Sequence, residues 1–444
     1  MVEPVDIEAS LQDRSVYEAE ILKMFSKRVR SGRIAADAAP GVSYYRAAAD
    51  RRALASRIAK TIAAGEYRIS PVALWFLERH GKVRPAHRPV FVDQVVGAVL
   101  FQLLTRNARA YGLPGVHSYL PGRSNLSAAI GFSNFIHRFR KQAGPRPPAL
   151  HVLKSDFSKF GESLPMGPAA PLWKTMREVA NLGNPRGDVN DQTWSLIVDL
   201  VRPVIKTPDG SSFTRTHGVS MGTPLTPLVS NLSVHEMDVY LNGVEGLFYA
   251  RYNDDFILAH ADLQTLKQVD ADLEPILARL GVSRKMEKER RVALCGNGMP
   301  STADPAYEGG ASIDFLGISI AYNGGLSPAP HLQARFVKRI CSRIDGLAAG
   351  FAGETSSDRA QILVSATNVM LDIENPFAAP GLATVLRVAS NRGALKDMDF
   401  RIARKIVQAA TGRAGNRGFR QIPPKRLREE MGLVSLVALR NLRR

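Results

Sequence analysis

Phe248-Tyr249-Ala250-Arg251-Tyr252-Asn253-Asp254-Asp255-Phe256-Ile257-Leu258-Ala259 is the most informative stretch of this 444-residue chain. Apolar runs on both sides of Asn253-Asp254 predict strand, two-residue turn, strand. Asn and Asp are good turn formers in any case, because both tolerate left-handed backbone and bond their own chain. The adjacent carboxylates Asp254 and Asp255 are the less ordinary feature, since they repel unless something positive binds them. A hard dication does so: Mg²⁺ takes carboxylate oxygens and keeps waters that phosphate oxygens can replace. A further carboxylate, Asp156, follows the short apolar strand Leu150 to Leu153. If that strand pairs with the hairpin, three carboxylates meet on one sheet edge. Such a cluster holds two metals about 3.5–4 Å apart for in-line phosphoryl transfer.

The rest of the chain fits a polyanion partner. Lys and Arg number 59 against 41 Asp and Glu, a formal charge of +18. From Arg401 onward there are 12 basic residues and only Glu429 and Glu430 on the acidic side, so this tail carries +10 of that charge. Nucleic acid is the commonest partner of such a surface, and a solvated helix face is the plain alternative. With 45% hydrophobic residues the chain can bury a core. No apolar run approaches the ~20 residues of a membrane span, so no membrane association is expected. The acidic N-terminus argues against an export signal, and a cytoplasmic location is expected. Cys295 and Cys341 are too few for a disulfide framework or a four-cysteine zinc site.

Coarse patterning predicts helix over 1–35, a helix from about Tyr44 to Ala64, and an extended basic stretch from Tyr67 to Phe91. Asp93 is read as the N-cap of a helix from Val95 to Arg106. Further helices are expected near Asn125 to Lys141, Pro171 to Leu182 and Gln192 to Val204, with a turn at 208–210 and a helix from Pro227. Gln264 to Leu280 is amphipathic. Short strands return over 291–322, and everything past Pro330 reads as helix. The class is therefore α+β with an all-helical C-terminal part.

Read outward from the hairpin, the chain resembles bacterial reverse transcriptases of the group II intron, retron and defence-associated kind, over about Ile58 to Ile320. Tyr252-Asn253-Asp254-Asp255 resembles the Tyr-x-Asp-Asp catalytic hairpin, and Ser155-Asp156-Phe157 the strand end bearing the first metal-binding aspartate. Ser118-Tyr119-Leu120-Pro121-Gly122-Arg123-Ser124 resembles a fingers segment. Gly218 through Asn231 resembles the loop and helix that support nucleotide and template, and Phe315-Leu316-Gly317 the hairpin that grips the primer end. Five such matches in order carry more weight than any one of them.

The resemblance implies a right-hand polymerase: a helical extension over 1–57, fingers over 58–149, palm over 150–328 and a basic helical thumb over 329–444. It implies RNA-directed DNA synthesis with two Mg²⁺ (or Mn²⁺) on Asp156, Asp254, Asp255 and the Phe157 carbonyl. Substrate contacts would come from Arg88, and from Lys82 or Arg84, against the triphosphate, with Lys288 protonating pyrophosphate. The partners implied are RNA template, DNA product and dNTPs, with a noncoding RNA or a partner protein as further candidates. No HNH-type nuclease is expected, which points to a stand-alone retron or antiphage enzyme.

Two departures from the family pattern matter. Gly161 stands where the family has an aromatic sugar gate, unless Phe160 takes that place. Met221, before Gly222, replaces a glutamine whose amide can donate a hydrogen bond. Both motivate an alternative: a template-independent or protein-primed polymerase making homopolymeric or repetitive DNA. An alternative of another class is a catalytically silent RNA-binding module, against which the three intact aspartates argue. Gly218-Val219-Ser220-Met221-Gly222 also fits Gly-x-Ser-x-Gly, but Pro224 and Pro227 oppose the immediate helix a hydrolase elbow needs.

Overall fold

The computed structural model describes residues 3–32, 37–39, 42–79, 81–144, 148–296, 304–374, 378–379, 381–389 and 392–441. The chain divides into two compact units, one of residues 1–125 and 153–290 and the other of 126–152 and 291–444. The class is α+β, as expected from the alternation of patterns.

In the first unit, β1 (Val72–Arg79) and β2 (Lys82–Arg88) form an antiparallel ribbon in which Trp75 faces Ala86 and Phe76 faces Pro85. Pro85 is tolerated because β2 is an edge strand of its sheet and needs no outward donor. The expected extended stretch is thus a hairpin. The long apolar helix α1 spans Phe91–Tyr111 and begins earlier than predicted. Asp93 is not its cap. It is buried and accepts hydrogen bonds from the Tyr67 hydroxyl at 2.7 Å and the Ser70 amide at 2.9 Å. A tertiary partner claimed the side chain that the local pattern had assigned to capping.

The strand β3 (Leu150–Asp156) reaches the carboxylate itself rather than stopping before Lys154. Helices α2 (Thr226–Leu232) and α3 (His235–Gly243) follow, then the hairpin β4 (Phe248–Tyr252) and β5 (Asp255–His260). Hairpin register pairs Tyr252 with Asp255, leaving Asn253-Asp254 as the turn, and β5 lies between β4 and β3. Helix α4 (Leu263–Leu280) caps its N-terminus with Asp262 and buries Leu266, Val269, Leu273, Ile276, Leu277 and Leu280.

In the second unit, β6 (Ser312–Phe315), β7 (Ile318–Ala321) and β8 (Leu326–Pro328) form an antiparallel sheet. Leu316 and Gly317 make the tight β6–β7 turn, both at positive φ. Helices α5 (Pro330–Ala348), α6 (Ser356–Leu371), α7 (Arg392–Thr411) and α8 (Asn416–Gln421) pack around Ile340, Ile344, Leu363, Met398 and Ile406. Among the described residues, no helix is long and apolar enough to cross a membrane.

Candidate active site

The hairpin turn places Asp254 against the end of β3. Asn253 takes φ 59°, a left-handed conformation that asparagine accepts more readily than most residues. The Asp254 carbonyl accepts from the Phe157 amide at 3.1 Å, while the Asp156 carbonyl accepts from the Lys285 amide at 2.7 Å. Backbone bonds therefore fix both carboxylate-bearing positions. Burial pushes the Asp254 carboxyl up, and the neighbouring Asp156 charge pushes it further. Asp255 is pushed up to about 6 by burial, with Lys154 opposing and Asp156 and Asp254 adding to the rise.

Asp156 is buried, and its two oxygens fare differently. One is ion-paired to Lys288 Nζ. The other, Oδ1, is buried with no hydrogen-bond partner. An unpartnered buried carboxylate oxygen beside a second carboxylate is costly unless a cation completes it. Hydrogen bonding to Asp156 raises the Lys288 ammonium's pKa, so the lysine stands as a proton-bearing counter-charge. Among the described residues, no set of three or more His, Cys, Asp or Glu side chains is drawn together as a metal-binding group. Asp156 with Asp254 is the pair that fits a hard dication, through all-oxygen donors and the orphaned Oδ1.

Asp156, Asp254 and Lys288, but not Asp255, line a cleft of about 480 Å³. Its cations are Arg84, Lys159, Arg215, Lys285 and Lys288. Of these, sequence reasoning named only Arg84 and Lys288. Arg88 is exposed and is not among the cleft residues, although it lies on the same side of β2 as Arg84, four residues further along the strand. The side chain of Lys82 lies outside the described residues.

Phe157 and Phe160 are buried, with ring centroids 5.0 Å apart, and Phe157 also packs on Phe256 at 5.3 Å. Phe160 is thereby part of the cleft floor. Beside it, a Cβ placed on Gly161 would stand 3.7 Å from Met221 Sδ, an ordinary contact, so the thioether borders the space an aromatic would fill. Met221 is half-exposed, and its carbonyl accepts from the His87 amide at 2.7 Å and approaches His87 Nδ1 at 3.2 Å. Gly222 has φ 102°, and a Cβ there would lie 2.7 Å from the His87 carbonyl. Gly222→Ala is expected to cost about 1–3 kcal/mol through left-handed strain and this clash. Chemical denaturation would measure it.

One determinant escaped the sequence reading. Arg251 sits inside β4 with 0% side-chain exposure, paired to an equally buried Asp238 on α3. Nε and Nη2 donate to the two Asp238 oxygens at 2.9 and 2.6 Å. Nη1 donates to the Asn253 carbonyl at 3.0 Å and Nη2 to the Asn231 carbonyl at 3.2 Å. Asn231 in turn bonds Ser118 through Ser118 Oγ at 2.7 Å and the Ser118 carbonyl at 2.8 Å. The catalytic-hairpin match, the Gly218–Asn231 match and the Ser118–Ser124 match are thus tied into one network. The available signal was a lone arginine inside an apolar strand, which requires a buried counter-charge.

No known protein-family profile matches the chain, and no curated protein matches it in sequence. Solved structures do match. An apo telomerase from Candida tropicalis, truncated from its C-terminal domain, aligns at 14% identity and a TM-score of 0.45 over 58% of this chain and 56% of that one. A telomerase from Candida albicans, in complex with a TWJ fragment of telomeric RNA, aligns at 13% and 0.46 over 84% and 67%. An apo telomerase from Candida tropicalis gives 12% and 0.45 over 82% and 68%. The likeness is one of fold alone. The chain spans little more than half of the first of these structures.

The hydrolase motif does not form an elbow. Ser220 is buried, and the chain turns through Thr223 before α2 begins at Thr226.

Proposed function

We propose that the chain is a right-hand polymerase of the reverse-transcriptase kind, a nucleotidyltransferase that performs RNA-directed DNA synthesis. The observation that carries this reading is the Asp156–Asp254 pair, with its orphaned oxygen, on the floor of a cleft rimmed by five cations. Two Mg²⁺, or Mn²⁺, held by Asp156, Asp254, Asp255 and the Phe157 carbonyl would activate the attacking hydroxyl and neutralise charge at the leaving phosphate. Arg84, Lys159, Arg215 and Lys285 bind the triphosphate, which needs several cationic contacts beyond its metals. The Phe157–Phe160 floor keeps water from the reacting phosphate. Lys288 carries the proton that pyrophosphate takes on leaving.

The proposed organisation keeps the fingers, palm and thumb boundaries read from the sequence. The proposed partners are RNA, DNA product and dNTPs, and the proposed setting is a stand-alone antiphage enzyme of the bacterial type. A second reading, synthesis without a nucleic-acid template, rests on the half-exposed thioether of Met221 bordering Gly161 in the cleft. A methyl thioether cannot hold a template base or nucleotide by donated hydrogen bonds.

Purified protein incubated with Mg²⁺ and each labelled dNTP or NTP, with and without a primed RNA template, separates these readings. Incorporation of dNTPs only on the template supports the first. Incorporation without template moves the second to the front. None under any condition, with RNA still retained, leaves the binding module. Lys288→Ala is expected to slow turnover by about 100-fold with little change in nucleotide KM, and Lys288→Arg to recover part of the loss. Single-turnover kinetics check this.

A further inference from the structure

The basic C-terminal part of the chain has a structure that the catalytic reading does not use. On α7, Phe400 is 50% exposed. Its ring lies against that of Phe419 on α8, centroids 5.8 Å apart and planes inclined by 36°. Phe419 is partly buried against the helical core, so it backs a half-exposed Phe400 ring that forgoes the burial such rings usually find.

Arginines surround the pair. Arg404 lies one turn beyond Phe400 on the same face of α7, Arg417 and Arg420 flank Phe419 on α8, and Arg413 is in the connecting loop. All four are exposed, and none of their guanidinium groups has a hydrogen bond or carboxylate partner among the described residues. Their neighbours differ: Arg401 pairs with Asp397, Lys405 with Asp345, Lys425 with Glu429 and Arg426 with Glu430. The chain neutralises charge around this patch and leaves the patch itself uncompensated.

The patch is also held in place. A Cβ on Gly418 would lie 2.6 Å from the Arg413 carbonyl and 2.8 Å from Val407 Cγ1, so α8 sits directly on α7. Arg417, Phe419 and Arg420 are therefore presented from a packed element and not from a free tail.

We propose that the α7–α8 face is a second nucleic-acid site, one that takes an unpaired single strand. Phe400 and Phe419 offer a surface on which bases stack, and Arg404, Arg413, Arg417 and Arg420 hold the flanking phosphates. Stacking needs bases free of a duplex, whereas arginine alone would serve either form. This assignment does not depend on the polymerase chemistry.

The test is fluorescence anisotropy in EDTA, which removes catalysis from the readout, on the full chain carrying Asp254→Asn. The probes are a labelled 20-nucleotide oligo(U), oligo(dT) of equal length, and an RNA duplex of equal length, each over a range of KCl. Arg417→Glu/Arg420→Glu is expected to weaken oligo(U) binding at least tenfold and to lower the salt slope by about two. Phe400→Ala is expected to weaken single-strand binding about tenfold and leave duplex binding unchanged. Arg417→Lys/Arg420→Lys, which preserves charge and folding, should retain most of the affinity. The comparison of oligo(U) with oligo(dT) decides which sugar the site prefers. The proposal is overturned if the charge-reversed variant melts like its parent and binds every probe equally well. It is also overturned if Phe400→Ala loses duplex and single strand alike. Retention of an acidic protein with no oligonucleotide binding would overturn it in favour of a protein partner.

Discussion

Asp254→Asn is expected to reduce nucleotide incorporation by at least about 1,000-fold and, in the same protein, to raise its thermal stability in metal-free buffer. The two effects share one cause. Asp254 is pushed toward protonation by burial and by Asp156, so its charged form destabilises the folded state. An amide keeps the shape, and its oxygen can still accept from Asn253 Nδ2, now at 2.9 Å from Asp254 Oδ1, while it removes the repulsion. The same reasoning gives a pH dependence. Asp255 binds its proton more tightly in the folded chain, at about 6 against an unfolded value near 3.8, so its favourable contribution is complete below about pH 4. It is lost as pH rises through 6, by up to about 3 kcal/mol before solvent screening. Metal-free parent protein should therefore melt lower at pH 7 than at pH 5, and the Asp254→Asn/Asp255→Asn variant should show a flatter profile. Mg²⁺ should raise the Tm of the parent and leave that variant unmoved, because a ligand stabilises only the state that binds it. Equal Mg²⁺ responses would sink the metal assignment independently of any activity assay.

What the sequence made legible follows how local each signal was. The hairpin could be read because its pattern is complete within twelve residues: two apolar runs and a turn whose asparagine accepts left-handed backbone. The amphipathic helix α4 was legible for the same reason, since its buried positions recur at helical spacing. Asp93 went wrong because a capping signal and a buried acceptor are the same residue type in the same place, and only Tyr67 and Ser70 decide between them. Arg84 and Arg88 lie four residues apart on the same side of β2, so which of them reaches the cleft depends on how the strand is placed along it, which no local pattern fixes. Lys159, Arg215 and Lys285 come from three separate segments, so their convergence on one cleft is a tertiary fact. Nor does anything local announce that residues 126–152 join the later unit while 153–290 stay with the earlier one.

The Arg251–Asp238 pair is where stability and catalysis can be separated. Arg251→Met leaves Asp238 as a buried charge whose remaining bond, from the Tyr249 hydroxyl, is far too little to balance it. The expected cost is about 3–5 kcal/mol, a large share of a domain's stability, and denaturant melts should show it. Asp238→Leu alone should cost a similar amount by stranding the guanidinium. The double variant Arg251→Met/Asp238→Leu should recover most of that loss, because replacing both partners by apolar groups removes the desolvation penalty along with the attraction. Activity should not recover with it. The arginine also donates to the carbonyls of Asn253 and Asn231, bonds that fix the Asn253-Asp254 turn and the segment bonded to Ser118, and methionine supplies neither. A turn displaced by about 1 Å lowers turnover by about 100-fold, so the double variant should fold, bind nucleotide and turn over slowly. A double variant as active as the parent would show that the buried pair only holds the fold. A stable but slow one places Arg251 as the positioning residue of the catalytic hairpin, acting through the backbone of Asn253 on the carboxylate beside it.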